Sequence, residues 1–193
     1  LRKVGEEYTI DSDERLLFLM GKNKLKKKCV RLLRAHKKNG KQYNRKQIVM
    51  FQDYLYIIGG IETFLFNLTK NFKDKNITVM CRQIEPEQIV AISKYADIEV
   101  YEQQKVECDV LILGNYNCDY ILNNVKAKKI YQMIHADWSG IKQIPVWSTF
   151  TWKKNPRINE IICVSEAAQK GLKETMKYDS KVIYNILDDD YQE

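Results

Sequence analysis

The stretch that decides the fold reads Phe51-Gln52-Asp53-Tyr54-Leu55-Tyr56-Ile57-Ile58-Gly59-Gly60-Ile61-Glu62. It begins at the end of an apolar segment, Ile48–Phe51, and passes through two adjacent glycines into a helical pattern. Apolar residues then recur at spacings of three and four, which places them on one face of an amphipathic helix: Ile61, Phe64, Leu65 and Leu68. A strand, a glycine loop and a helix in that order are typical of an α/β domain.

Outward from that stretch, short apolar runs alternate with helical patterns. The predicted strands are Ile48–Phe51, Ile77–Cys81, Ile98–Tyr101, Val110–Leu113, Ile130–Ile134, Glu160–Val164 and Lys181–Tyr184. The predicted helices are Ile61–Phe72, Pro86–Tyr95, Asp119–Asn124 and Ala167–Lys177. Several strands are apolar throughout, as expected when helices cover both faces of a parallel sheet. We therefore predict an α/β fold, a Rossmann-like parallel sheet with helices on both faces, over residues 48–193.

Residues 1–47 differ in composition and are predicted to form a basic helical extension. Twelve Lys or Arg residues and no acidic residue lie between Lys22 and Lys46, whereas the rest of the chain carries 20 basic and 25 acidic residues. An apolar stripe runs along the predicted helix: Leu25, Cys29, Leu32, Leu33 and His36. Such a helix either lies on an anionic membrane surface or packs its leucines on the domain. In the first case the residues facing the lipid are Lys24, Lys27, Lys28, Arg31 and Arg34.

Composition excludes several classes of protein. The basic charge belongs to one segment without interleaved aromatic residues, so we expect no nucleic-acid partner. No apolar run is long enough to cross a bilayer, and no signal peptide is recognised. The five cysteines are scattered without a metal-ligand spacing, which predicts reduced thiols, no metal site and a cytoplasmic location, with the inner membrane face as the alternative.

The two adjacent glycines are the first candidate for chemistry. Glycines just before a helix let a ligand approach the backbone closely, and the helix N-terminus adds partial positive charge, so an anion such as phosphate fits there. A simple connecting turn is the alternative. The loop has neither the GxGxxG pattern of dinucleotide-binding proteins nor the GK[ST] of a P-loop.

Three segments together resemble glycosyltransferase family 4, a large group of retaining enzymes with the GT-B fold. Gly59-Gly60-Ile61-Glu62 resembles the family's GGxE loop, and Asn159–Ala167 resembles the strand and "VS" turn near the end of its N-terminal domain. Lys181–Asp188 is similar to the strand at which the family's chain crosses to the C-terminal domain. One departure is Ile186, which stands where the family has a glycine after Asn185.

The resemblance implies the N-terminal, acceptor-side domain of an enzyme that transfers a sugar from a nucleotide-sugar to a cell-surface polysaccharide or glycolipid. It implies no metal and no cofactor beyond the nucleotide-sugar substrate. The glycine loop, Gly59 to Glu62, would bind the donor phosphates. A C-terminal donor-binding domain is absent from this sequence, so we expect no transfer by the chain alone. A non-catalytic partner or a ligand-binding module is the alternative function.

His135 is the predicted catalytic residue. It follows the apolar run Ile130–Ile134, so it lies at the carboxyl edge of a parallel sheet, where open α/β sheets bind ligands. In the family that this chain resembles, a His at this strand end lines the cleft beside the donor sugar. The alternative is a histidine that caps the strand by hydrogen bonds to the backbone.

Four further residues are expected to line the cleft or contact the acceptor: Asp137, Trp138, Ser165 and Asn185. Trp138 opens an aromatic segment with Trp147, Phe150 and Trp152, which suits either an acceptor surface or a hydrophobic cluster under a long loop. Ser165 precedes a helix, and its ordinary role is that of an N-cap.

Overall fold

The computed structural model describes residues 2–4, 7–9, 46–57, 59–72 and 76–186. Strands β1 (Arg2–Val4) and β2 (Glu7–Thr9) form an antiparallel pair of their own. The predicted basic helix, with its candidate membrane-facing residues Lys24, Lys27, Lys28, Arg31 and Arg34, lies outside the described residues.

The domain is built on a seven-stranded sheet in which every described pairing is parallel, in the order β5-β4-β3-β6-β7-β8-β9. This architecture confirms the predicted Rossmann-like α/β fold. The strands are β3 (Lys46–Leu55), β4 (Ile77–Ile84), β5 (Asp97–Val100), β6 (Val106–Leu113), β7 (Val125–Ile134), β8 (Glu160–Cys163) and β9 (Lys181–Val182).

Helices connect the strands close to the predicted positions. The α-helices are α1 (Gly60–Asn71), α2 (Pro86–Ile92) and α3 (Glu166–Met176). Three short 3-10 helices are η1 (Asp119–Asn124), η2 (Ile141–Gln143) and η3 (Pro145–Trp147). Within the described ranges, no helix has both the length and the apolar character needed to span a membrane.

The core lies on both faces of the central strand β3. Side chains alternate between faces along a strand, so Met50 joins the cluster formed with α1 and α2, while Val49 and Phe51 join the cluster on the opposite face. These three residues are at most 1% exposed. Helix η1 lies on the second face, where it contributes Ile121 and Leu122. Because the strands are parallel, their carboxyl ends meet at one edge of this sheet, and the loops there gather the candidate residues.

Helix α3 is packed tightly against the loop that follows β7. A Cβ atom added at Gly171 would lie 2.6 Å from the backbone nitrogen of Ser139 and 2.7 Å from that of Trp138, and would also clash with the Asp137 carboxylate. The Thr175 hydroxyl donates a hydrogen bond to the Trp138 carbonyl at 2.9 Å. The absence of a side chain at Gly171 therefore lets the helix hold the loop that carries Asp137.

We predict that Gly171→Ala destabilises the protein by about 1–3 kcal/mol, because the backbone atoms that meet the added methyl group have to move. Urea denaturation followed by circular dichroism measures the change. The matched control is Gly60→Ala, since a Cβ at Gly60 meets no atom within 4 Å. Equal free energies of unfolding for the two variants would contradict the close packing described for Gly171.

Candidate functional site

Two side chains form hydrogen bonds with the backbone at the start of the glycine loop, which connects β3 to α1. The Glu62 carboxylate, on a residue only 5% exposed, accepts a hydrogen bond from the Tyr56 backbone N–H at 2.9 Å. The Gln88 amide of α2 donates to the Ile57 carbonyl at 2.7 Å. Both contacts fix the backbone just before the glycines, where the chain leaves β3.

The surroundings of Gly59 and Gly60 differ in whether they leave room for a side chain. A Cβ at Gly59 would run into the Glu62 carboxylate, so Gly59 leaves room for the side chain that supports the loop. At Gly60, the first residue of α1, a Cβ would meet open space. Packing therefore does not require glycine at position 60, and an uncovered helix N-terminus is open to a ligand. The N-cap position, Gly59, contributes no side-chain hydrogen bond to the helix.

His135 follows β7 directly, at the same carboxyl edge as the glycine loop. Its ring packs edge-on against Phe64 of α1, with ring centres 5.1 Å apart, so the imidazole lies against the helix that the glycines begin. The buried Nε2 atom has no hydrogen-bond partner among the described residues, so it does not cap a backbone group. Burial lowers the pKa of His135 to about 4, which makes the imidazole neutral at pH 7.

Asp137 is exposed and is held in one orientation by Ser139. The Ser139 backbone N–H and hydroxyl each donate to the carboxylate at 2.7 Å, one to each oxygen. These two hydrogen bonds, the one from the hydroxyl first, lower the pKa of Asp137, and the positive charge of Lys170 acts in the same direction. The carboxylate is therefore ionised and fixed two residues beyond His135.

Trp138, predicted to line the cleft, is only 4% exposed. Its indole packs edge-on against Tyr116, Phe150 and Trp152. The structure thus places Trp138 in a hydrophobic cluster under the loop, one of the two interpretations of this aromatic segment, and its ring offers little surface to a ligand. Trp147, in η3, is 42% exposed and packs against Phe150.

Ser165 and Asn185 occupy neighbouring strand ends. Ser165 is the N-cap of α3, and its hydroxyl accepts a hydrogen bond from the Ala168 N–H at 3.1 Å. This contact confirms the N-cap role considered for Ser165. Asn185 is exposed, and the carbonyl of Ile186 accepts a hydrogen bond from the Asn67 amide of α1 at 2.9 Å. The backbone at the departure from the family pattern is therefore tied to the helix of the glycine loop.

One polar group near the ends of β3 and β4, formed by Asp53, Arg82 and Tyr120, was not predicted from the sequence. The Tyr120 hydroxyl of η1 donates to the Asp53 carboxylate at 2.6 Å, and Arg82 contacts the same oxygen at 3.4 Å. Burial, followed by the bond to Asp53, raises the pKa of Tyr120, which keeps this phenol protonated as the donor. The available signal was the position of Asp53 and Arg82, two charged residues just beyond the predicted strands Ile48–Phe51 and Ile77–Cys81.

The cysteines of the described residues lie in the interior. Cys81, Cys108, Cys118 and Cys163 are buried, and none of them forms a disulfide bond. Burial is also the main cause that raises the pKa of Cys118 to about 12. No group of three or more potential metal ligands occurs in the part of the chain that the structure describes.

Solved structures of similar fold include two crystal structures of one protein. A crystal structure of Anabaena Alr3699/HepE in complex with UDP and glucose matches with a TM-score of 0.51 at 15% sequence identity, over 75% of this chain and 45% of that one. HepE in complex with UDP matches with a TM-score of 0.49 at 15% identity, over 74% of this chain and 44% of that one. This chain therefore spans less than half of the HepE chain. No protein-family model and no curated protein sequence matches it.

We predict that stability falls as the pH decreases from about 6.5 to 4, because the unfolded chain takes up a proton on His135 that the folded chain takes up only near pH 4. The separation of the two pKa values corresponds to roughly 3 kcal/mol. Urea denaturation at several pH values measures this loss, and His135→Gln serves as the comparison. A constant difference in unfolding free energy between wild type and variant across this pH range would contradict the buried neutral imidazole.

Proposed function

We propose that this chain is the N-terminal, acceptor-side domain of a retaining, family 4-like glycosyltransferase with the GT-B fold. It acts on a nucleotide-sugar donor and a polysaccharide or glycolipid acceptor. The observation that carries the proposal is the neutral His135 imidazole, whose buried Nε2 has no partner and which lies against the helix that the glycine loop begins. An unpaired nitrogen against the second turn of a helix whose N-terminus suits an anion fits a ligand that joins a sugar to a diphosphate.

The glycine loop is the proposed contact for the donor diphosphate. The N-terminus of α1 carries roughly half a positive charge and presents backbone N–H groups. Open space at Gly60 allows a phosphate to approach those groups. The Glu62 carboxylate holds the start of the loop by accepting the Tyr56 backbone N–H. Fixed dipoles of this kind stabilise the negative charge that develops on the leaving diphosphate as the bond to the sugar breaks. No metal is invoked in this role.

His135 is the proposed contact for the transferred sugar. A neutral imidazole has one donor and one acceptor nitrogen, so it matches a sugar hydroxyl without adding a second positive charge to the cleft. We place Asp137 and Asn185 at the rim of the same cleft, because both are exposed at the carboxyl edge of the sheet, after β7 and β9, the strands on either side of β8. The remaining donor contacts are proposed to come from a C-terminal domain of the kind that the family resemblance implies, and sugar transfer is then a property of the two domains together.

UDP-sugars are the first donors to test, since the HepE structure with a TM-score of 0.51 contains UDP and glucose. The basic segment, with Lys24, Lys27, Lys28, Arg31 and Arg34, is proposed to hold the enzyme at the anionic inner face of the cell membrane. That placement brings the cleft to an acceptor that is lipid-linked or is being built at the membrane.

We predict that Gly60→Val in the longer natural protein lowers kcat/KM for the donor about 10- to 100-fold, because the side chain occupies the approach of the phosphates. His135→Ala lowers kcat by about 10²-fold or more. Nucleotide release from the donor in the presence of acceptor measures both effects. Gln143→Ala, at an exposed position of η2, is the control. Unchanged donor kinetics in folded Gly60→Val would remove the proposed role of the loop.

We predict that the protein co-sediments with vesicles containing anionic phosphatidylglycerol at low salt and is released at high salt, because the attraction acts through screened surface charge. Replacing Lys24, Lys27, Lys28, Arg31 and Arg34 by Gln is expected to abolish sedimentation. Neutral phosphatidylcholine vesicles are the control. Absence of binding to the anionic vesicles at low salt would contradict the membrane role.

A further inference from the structure

A pocket lies towards the carboxyl ends of β4 and β5, away from His135. Its volume is about 720 Å³, and it is formed by the ends of β4 and β5, the loop after β5 and helix η1. In the strand order, β3 and β6 lie between β4 and β7, the strand that ends at His135. With about 4.8 Å between neighbouring strands, the pocket begins about 14 Å from the strand of His135.

Amide side chains dominate the polar lining of this pocket, which we call the distal pocket. Four of its residues are Gln83, Gln103, Asn123 and Asn124. An amide both donates and accepts hydrogen bonds, as a sugar hydroxyl does, so a row of amides matches a ligand rich in hydroxyl groups. Tyr120, which is 37% exposed, adds an aromatic side chain to the lining, and the Arg82 guanidinium lies over its ring, 5.8 Å from the ring centre.

The charges of the distal pocket disfavour an anion. Arg82 is the single cation among its lining residues, and Glu102 opposes it within the same lining. Arg82 also contacts the Asp53 carboxylate at 3.4 Å. A phosphate or a nucleotide diphosphate would therefore meet at least as much negative as positive charge. A neutral ligand avoids that repulsion and still finds the remaining N–H donors of Arg82.

The walls of the distal pocket are fixed before any ligand arrives. The Tyr120 hydroxyl is bonded to Asp53 at 2.6 Å, and the Asn124 amide donates to the Tyr101 hydroxyl at 2.9 Å. In the loop after β5, the Gln104 side chain accepts from the Glu102 N–H at 2.6 Å and donates to the Val100 carbonyl at 3.1 Å. Walls that are already ordered reduce the entropy lost on binding.

Gln103 has a backbone conformation that its side chain does not favour. Its φ of 64° lies in the left-handed region, where a residue other than glycine is strained. Strain of this kind is found where surrounding contacts hold the backbone in place. The next residue, Gln104, makes two such contacts within the loop that lines the pocket. The exposed Gln103 side chain belongs to the lining of the distal pocket.

We infer that the distal pocket binds a neutral sugar unit of the acceptor glycan, one that lies several units away from the hydroxyl that receives the transferred sugar. The role as an acceptor subsite rests on the proposed glycosyltransferase function, whereas the binding of a neutral glycan does not. The separation between the pocket and His135 requires an acceptor longer than a single sugar ring. Selection by acceptor length follows from this arrangement.

The test is binding of the natural protein, labelled with a fluorophore, to an array of neutral, carboxylated and phosphorylated oligosaccharides of one to six units. The test variant is Gln103→Gly with Asn123→Ala. Glycine suits the left-handed backbone at position 103, so the variant removes two amides while relieving strain. Gln143→Ala, which removes an exposed amide from η2, is the matched control. Thermal denaturation verifies that both variants are folded.

The expected result is binding to neutral glycans of three or more units, at least 10-fold weaker in the double variant and unchanged in Gln143→Ala. Absence of binding to any neutral glycan, preference for charged glycans, or equal binding by the double variant would each overturn the inference. UDP binding, measured in parallel by calorimetry, separates the two proposals. Glycan binding without UDP binding would support the distal pocket as a glycan site and contradict the transferase role. UDP binding without glycan binding would contradict only the role of the distal pocket.

Discussion

Burial of strand β3 on both of its faces is the constraint on which the rest of this structure depends. Val49, Met50 and Phe51 are at most 1% exposed, and the strand pairs with β4 on one side and β6 on the other. The two hydrophobic clusters therefore meet across it. Because the other strands run parallel to β3, the loops that follow β3 and β7 start at the same edge of the sheet. The glycine loop is the segment that follows β3 itself. Both the proposed donor site and the distal pocket are consequences of that position.

Local patterns in the sequence were enough to predict the sheet. All seven strands were predicted, and the central ones are the clearest because a strand buried on two faces has few polar positions. The last one was predicted too long, since Lys181–Tyr184 is a strand only as far as Val182. Other strands were predicted too short where polar residues continue the strand, as in β3, which runs to Leu55 beyond Gln52 and Asp53. The glycine loop and His135 were also found, because each lies immediately beside a predicted strand or helix. The roles assigned to them remain predictions.

Contacts between distant segments were beyond the reach of the sequence. The sequence shows Gly171 only as a glycine inside a predicted helix. Its importance comes from the loop after β7, whose backbone would clash with any side chain at this position. Trp138 was expected to line a cleft, yet three aromatic residues from two other segments, Tyr116 in one and Phe150 with Trp152 in the other, pack against it. The group of Asp53, Arg82 and Tyr120 joins two strands and a 3-10 helix. In each case the decisive partner lies more than ten residues away along the chain.

The hydrogen bond from Asn67 to the Ile186 carbonyl gives the domain a mechanical property. It fastens the segment after β9 to the helix whose first turn forms the glycine loop. A force applied to the chain after Ile186 is consequently transmitted to α1 as well as to β9.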